Sequence, residues 1–320
     1  MKNTAFNRLR YRLLFLLTFG KTKQHYKKKY KECKKRIVCN SPLFSQAKQA
    51  ADASNMYFFC QMADHLRLYQ KAASLHAETF KGCKNLYAGK DVCLIATGPT
   101  LNFFEPVENA VYVGVNKAFR YDKVTLDYLW MQDYAAVAPY IEESLNYRNP
   151  DVKRYYGIMP YGLVPDWIIP ESVAARHKAK RYYSRVRWPD KGREVLIKKD
   201  EFAFDITAEP LTCSGSIVFP AMQFILYTNP KRVYLVGCDS KYTGYFDKTA
   251  QTAGDPNFSA VLTGWKLMKG FAKTYYPETE IISVNPVGLK GLFYDVYTES
   301  YLNEHPEVDR NIVEILNEGE

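Results

Sequence analysis

Five short runs along the chain are apolar, and each stops at a small or polar residue: 91–96 (DVCLIA), 110–115 (AVYVGV), 128–131 (YLWM), 232–236 (RVYLV) and 280–284 (EIISV). Runs of this length, rich in β-branched and aromatic residues, predict strands of a parallel sheet buried on both faces. Their ends share a chemistry. The first runs into Thr97-Gly98-Pro99-Thr100-Leu101, the second stops at Asn116 and the third at Gln132-Asp133. The fourth ends in Gly237-Cys238-Asp239 and the fifth in Asn285-Pro286. Polar residues at the carboxyl ends of successive strands fall on one edge of the sheet, where open α/β folds bind ligands. The expected fold is α/β, a single Rossmann-like domain with a mostly parallel sheet, preceded by a basic helical N-terminal segment.

Other segments read as helix or as insertion. Residues 211–227 predict a helix opened by Ser214-Gly215-Ser216, whose free N–H groups and hydroxyls suit an anion or a ribose. Pro220 should bend that helix or mark its true start. Residues 41–85 are Ala- and Leu-rich with few Gly or Pro, which predicts one or two connecting helices. Prolines at 160, 165, 170 and 189 and the basic aromatic stretch 176–188 suggest an acceptor-side insertion at about 160–210, its charge run a solvated face. The expected organisation is a basic tail at 1–40, a helical connector at 41–88, the Rossmann-like domain at 89–300 and a C-terminal tail at 301–320.

Charge separates the tail from the rest. Residues 1–38 carry thirteen Lys and Arg against the single Glu32, a net +12 in a chain of +10, which leaves −2 for residues 39–320. The apolar run at 13–19 between these cations is far short of the roughly 20 residues a spanning helix needs, and Gly20-Lys21-Thr22-Lys23 makes a poor signal-peptide cleavage site. An interfacial helix on anionic lipid is expected, with the protein cytoplasmic and peripheral at the inner face of the membrane. Nucleic acid is not expected as a partner, because no binding module accompanies the basic run and the remainder is slightly acidic. A homo-oligomer is left open.

The seven cysteines, an odd number without a Cys-x-x-Cys pair, point to a reducing compartment and to no zinc site. No Walker Gly-x-x-x-x-Gly-Lys-Ser/Thr run occurs. In the first strand-end turn, Gly98 tolerates backbone angles barred to other residues, Pro99 fixes its own φ, and Thr97 and Thr100 add hydroxyls beside N–H groups that a nucleotide could use.

Gly98-Pro99-Thr100-Leu101, the strand ending in Asn116, the Ser214-Gly215 helix start and Gly237-Cys238-Asp239 stand in the order found in a known family. Over about residues 90–290 the chain resembles the bacterial lipooligosaccharide sialyltransferases, which are single-domain and use CMP-sialic acid. The resemblance implies a CMP-sugar donor, a glycan or glycolipid acceptor and no metal cofactor. It implies that Thr97, Gly98, Pro99, Thr100, Asn116, Gln132, Ser214, Gly215 and Asp239 bind the nucleotide sugar. Tyr242 and Tyr245 stand where the family has two lid tyrosines on the departing phosphate. The family's catalytic His has no counterpart, since all five histidines (His25, His65, His76, His177, His305) lie elsewhere, and Asp255 is the nearest carboxylate that could replace it. Two other readings stay open: a Mg²⁺-dependent diphosphokinase resembling the archaeal-type 6-hydroxymethyl-dihydropterin enzymes and the related flagellar motility factors, and a non-catalytic nucleotide-sugar-binding scaffold.

Overall fold

The computed structural model describes residues 4–39, 56–159, 168–186, 202–241, 244–248 and 258–316. The chain forms two compact units, 1–71 and 72–320. In the first, helices α1 (Thr4–Leu17) and α2 (Gly20–Cys39) pack on each other as a hairpin. Gly20 makes the reversal at φ +58°, where a side chain would be strained. Tyr11 stacks on Tyr26 across the hairpin, with ring centroids 6.4 Å apart. Leu9, Leu13, Leu16 and Leu17, one stripe of α1 at helical spacing, are each more than half exposed, as is Phe19. Among the described residues no helix is long and apolar enough to cross a membrane.

The second unit holds one ten-stranded sheet, in the order β10-β9-β8-β7-β1-β2-β3-β4-β5-β6. Its strands are β1 (Asp91–Ile95), β2 (Val111–Val115), β3 (Tyr128–Met131), β4 (Lys153–Ile158), β5 (Lys180–Val186), β6 (Leu211–Cys213), β7 (Arg232–Val236), β8 (Glu280–Val284), β9 (Tyr294–Tyr297) and β10 (Glu314–Ile315). Every pair of neighbours is parallel, so the expected single Rossmann-like α/β fold is present. The chain winds outward from β1 to β6, then returns to the other side of β1 with β7. The winding therefore reverses between β1 and β7, and at such a switch point the flanking connections diverge and leave a crevice at the carboxyl ends of the strands.

Side chains alternate between two cores, as the two-residue strand period requires. Val92 and Leu94 of β1 face the layer that contains α6 (Val218–Tyr227) and α7 (Phe258–Tyr275). Cys93 and Ile95 face the opposite layer, built from the connections that follow β1 to β4, with the short helices α4 (Tyr134–Val137) and α5 (Glu171–Arg176). In the first layer Trp130 stacks on Tyr155 at 4.7 Å between centroids and Tyr155 on Phe80 at 5.7 Å, a geometry that adds ring-ring attraction to area burial.

The structure corrects several boundaries. The basic stretch is a solvated face only in part, at Arg176, Lys178 and Lys180, and residues 180–186 are no insertion: they are β5, with Tyr182 and Ser184 fully buried. The chain tolerates cations there because Lys180 Nζ donates to the Thr79 carbonyl at 3.1 Å and Arg181 to the Ile169 carbonyl at 2.9 Å. Residues 211–213 are strand β6 and the helix begins only at Val218, which puts Pro220 in its first turn, where its missing N–H costs nothing. The C-terminal tail is no appendage, since α8 (Glu299–Glu304) runs into it and β10 within it pairs with β9. Helix α3 (Met56–Thr79), part of the expected connector, gives its last turns to the second unit, where Ala72 and His76 are fully buried. The His76 ring joins three segments: Nδ1 donates to the Ile206 carbonyl at 2.9 Å and Nε2 accepts the Tyr183 N–H at 2.7 Å.

Candidate functional site

A cleft of ≈ 330 Å³ opens at the switch point, within the range of roughly 300–1,000 Å³ common for small-molecule sites. Its walls are strand ends: Ala96, Thr97 and Gly98 after β1, Val115 and Asn116 at the end of β2, Gln132, Asp133 and Ala136 after β3, Met159 after β4, Cys213 and Gly215 to Val218 from the end of β6 to the start of α6, and Gly237 to Lys241 after β7. Gly244, Tyr245, Val261 and Trp265 complete it. Most of the residues named from sequence thus meet at one place: Thr97, Gly98, Asn116, Gln132, Gly215, Asp239 and Tyr245 line the cleft. Pro99, Thr100 and Ser214 do not line it. Tyr242 and Asp255 lie outside the described residues.

The turn after β1 works differently from expectation. Gly98 sits at φ −69°, an angle any residue adopts, so its glycine is not needed for conformation. A Cβ there would run into the Asp239 carboxylate and approach the Gly237 carbonyl to 2.6 Å, so the requirement is close packing of β1 against β7. The N–H groups of the turn are also committed: Gly98 donates to Gly237 O at 2.9 Å, Thr100 to Asp239 Oδ2 at 3.1 Å and Leu101 to Gly98 O at 3.1 Å. The Thr100 hydroxyl donates to Asp239 Oδ1. Asp239 is therefore a clamp on the turn: burial raises its carboxyl's pKa, and the two Thr100 bonds pull it back.

Several strand-end residues hold left-handed backbone: Asn116 at φ 49°, Asp133 at 63°, Gly215 at 75°, Gly237 at 63°, Ser240 at 47° and Asn285 at 49°. Asn, Asp and Gly bear this conformation best, which accounts for much of the polar signal at strand ends. Their side chains then divide. Asn285 is fully engaged, donating to Thr298 Oγ1 at 3.0 Å and accepting the Thr298 N–H at 2.9 Å. Gln132 is held by the Tyr182 hydroxyl at 3.0 Å and by Met159 Sδ at 3.0 Å. Ser214, buried, donates to the Ala260 carbonyl at 3.2 Å. By contrast, Asn116 Oδ1 and Asp133 Oδ1 are buried and have no hydrogen-bond partner in the protein. Burial raises the pKa of the Asp133 carboxyl from its ordinary value, offset in part by the N–H groups of Ala135 and Ala136.

The segment 244–248 is fastened beside the cleft. Phe246 is buried, its N–H donates to Thr97 O at 3.1 Å and its carbonyl accepts from Asn102 Nδ2 at 3.1 Å. Asp247 pairs with Arg120 at 3.1 Å and with Lys117 at 3.6 Å. Lys117 Nζ stands 4.8 Å from the centre of the Tyr245 ring, a cation-π contact that orients the ring toward one position. The thiols of Cys213 and Cys238 line the cleft, but burial pushes Cys213 up to about 11 and Cys238 higher still, so neither is a nucleophile at neutral pH. No described histidine lines the cleft. Among the described residues no group of three or more His, Cys, Asp or Glu is arranged to hold a metal ion.

Sequence reasoning missed Lys117, Lys241 and Trp265 as neighbours of the site. Lys117 adjoins Asn116 and was within reach. Trp265 reads as a core aromatic of an amphipathic helix, and its indole Nε1 is buried and unpartnered at the cleft wall. In comparisons with known proteins the chain matches no family model and no curated protein.

Proposed function

We propose that the switch-point cleft binds a nucleotide sugar, and that the chain is a glycosyltransferase carrying sialic acid or a related acidic sugar from a CMP donor to a lipid-linked or cell-surface glycan. The observation that supports this most is the pair of buried acceptors without partners, Asn116 Oδ1 and Asp133 Oδ1, on adjacent strand ends. A buried unpaired polar atom is costly, so such a pair calls for a ligand that brings hydrogen-bond donors. A ribose hydroxyl or the exocyclic amine of cytosine would answer Asn116, and the hydroxyl of the acceptor glycan would answer Asp133. Gly215, Ser216 and Ile217 also line the cleft and lead into α6, whose dipole favours the phosphate. The Tyr245 hydroxyl would donate to that phosphate as it departs, and in this reading hydroxyls and helix dipole supply the charge stabilisation without a metal.

The basic hairpin suits an acceptor made at a membrane. Its exposed leucine stripe and Phe19 would enter the acyl boundary at the inner face, with the lysines of α2 on anionic headgroups.

A thermal-shift panel of CMP, UDP, GDP, ADP and ATP, with and without Mg²⁺, tests the nucleotide. A ligand that binds only the folded chain stabilises it by about 2.7 kcal/mol at a hundred times its Kd. CMP should raise the melting point with no need of Mg²⁺, and Asn116→Ala should weaken CMP binding by about 1–3 kcal/mol in calorimetry. A response confined to ATP with Mg²⁺ would favour a diphosphokinase, and no response to any nucleotide would refute the reading.

A further inference from the structure

If the cleft transfers a sugar, some group must take the proton of the acceptor hydroxyl, and no described histidine is in place for it. Two carboxylates line the cleft, Asp133 and Asp239. Asp239 is excluded by its bonds: both oxygens receive Thr100, one from the N–H and one from the hydroxyl, and any rotation that freed them would release the turn after β1. A third carboxylate nearby, Asp247, is held by Lys117 and Arg120. Asp133 differs from both. Its Oδ1 is buried without a partner, its backbone is held at φ 63°, and it sits where β3 ends in the cleft. A cleft-lining carboxylate with one buried oxygen that nothing in the protein answers is the pattern of a residue kept for chemistry.

We infer that Asp133 is the general base of this chain, a role that rests on the transferase reading above. The acceptor hydroxyl gives its proton to the Asp133 carboxylate as its oxygen bonds to the anomeric carbon of the donor sugar. The bond from that carbon to the phosphate oxygen breaks, and its electron pair leaves with CMP. Asp133 then returns the proton to water. Partial burial keeps the carboxylate more basic than an exposed one, which suits this task. The titratable groups around it are Tyr140 of the segment that follows β3, Cys213 at the end of β6, and Lys241 and Tyr245, which line the same cleft. The tyrosine and cysteine are raised by burial, so Asp133 is the group expected to titrate on the acid side.

The test uses the full chain with CMP-sialic acid and an oligosaccharide acceptor or water, reading CMP release across pH beside CMP affinity by calorimetry. Asp133→Asn should lower kcat by about 10²–10⁴-fold and abolish the acid limb of the pH profile, while CMP affinity and melting point stay unchanged. In Asp133→Ala, added formate should restore part of the rate. Wild-type kcat in Asp133→Asn, or loss of CMP affinity in step with activity, would overturn the assignment. A wild-type chain that binds CMP but releases none from the donor would overturn the base and leave the binding site standing. Failure to bind CMP at all would refute the reading beneath it.

Discussion

Acidification should loosen this fold through one residue, His76. Its ring is fully buried with both nitrogens used, Nδ1 as donor to Ile206 O and Nε2 as acceptor from the Tyr183 N–H. Only the neutral ring satisfies both bonds. Protonation would set a second N–H against the Tyr183 N–H and place a charge in the core. Burial accordingly lowers the pKa from 6.5 to about 4, against a smaller upward pull from the Ile206 carbonyl. A base whose folded pKa is depressed contributes its full stability above the unfolded value and loses it as pH falls. The loss begins near pH 6.5, where the unfolded chain starts to bind a proton that the folded chain refuses, and ends near pH 4, where both states are protonated. At about 1.4 kcal/mol per pH unit the total comes to about 3 kcal/mol, a sizeable share of a typical folding free energy.

Urea unfolding from pH 7.5 to 4.5 measures this. Carboxylates and His177, itself lowered by burial, titrate in part of the same range, so the useful quantity is the difference between wild type and His76→Gln. The variant should lose stability at pH 7.5, and its stability should fall less steeply between pH 6.5 and 4.5 by about one proton's worth, about 1.4 kcal/mol per unit. Parallel slopes for the two proteins, or an NMR titration of the His76 ring with a midpoint near 6.5, would refute the argument.

Two further predictions follow from single contacts. Gly98→Ala should cost about 1–3 kcal/mol by driving a methyl into the Asp239 carboxylate and the Gly237 carbonyl, and differential scanning calorimetry should show the lower melting point; an unchanged midpoint would mean that β1 and β7 are less tightly joined than the structure shows. Leu13→Glu with Leu17→Glu should weaken co-sedimentation with phosphatidylserine vesicles while the melting transition of the sheet domain stays put, because the substitutions charge the exposed stripe of α1; undiminished vesicle binding would remove the stripe from the interface.

The five strands near the switch point were legible in the sequence because buried parallel strands are short apolar runs with abrupt polar ends. β4, β5 and β6 were not, and the reason is physical. β5 carries Lys180, Arg181 and Arg185, whose heads reach carbonyls at the strand margins or, for Arg185, the Thr212 hydroxyl at 2.9 Å, so its outward composition mimics a solvated charge run. β4 begins with Lys153 and Arg154 in the same way, with Arg154 donating to the Ser144 carbonyl at 2.9 Å. β6 is three residues long, and only Ser214 to Ile217 separate it from α6. Periodicity cannot be read from three residues.

The polar residues at strand ends carried two messages that sequence cannot tell apart. One is conformational: a left-handed residue is needed where a parallel strand turns into its crossover, and Asn, Asp or Gly fills it whether or not a ligand exists. Asn285 is that case, spending its whole amide on Thr298. The other message is chemical, and hydrogen-bond accounting separates it from the first. Asp239, Gln132 and Ser214 occupy the right edge yet are satisfied within the fold, so their loss should unsettle the scaffold before it touches a ligand. Asn116 and Asp133 share the same backbone state but each leaves a buried oxygen unanswered. A fold pays for such an omission unless something outside the chain supplies the donor. These two positions are therefore where a ligand should be felt most strongly, and where substitution should change binding or turnover at little cost in stability.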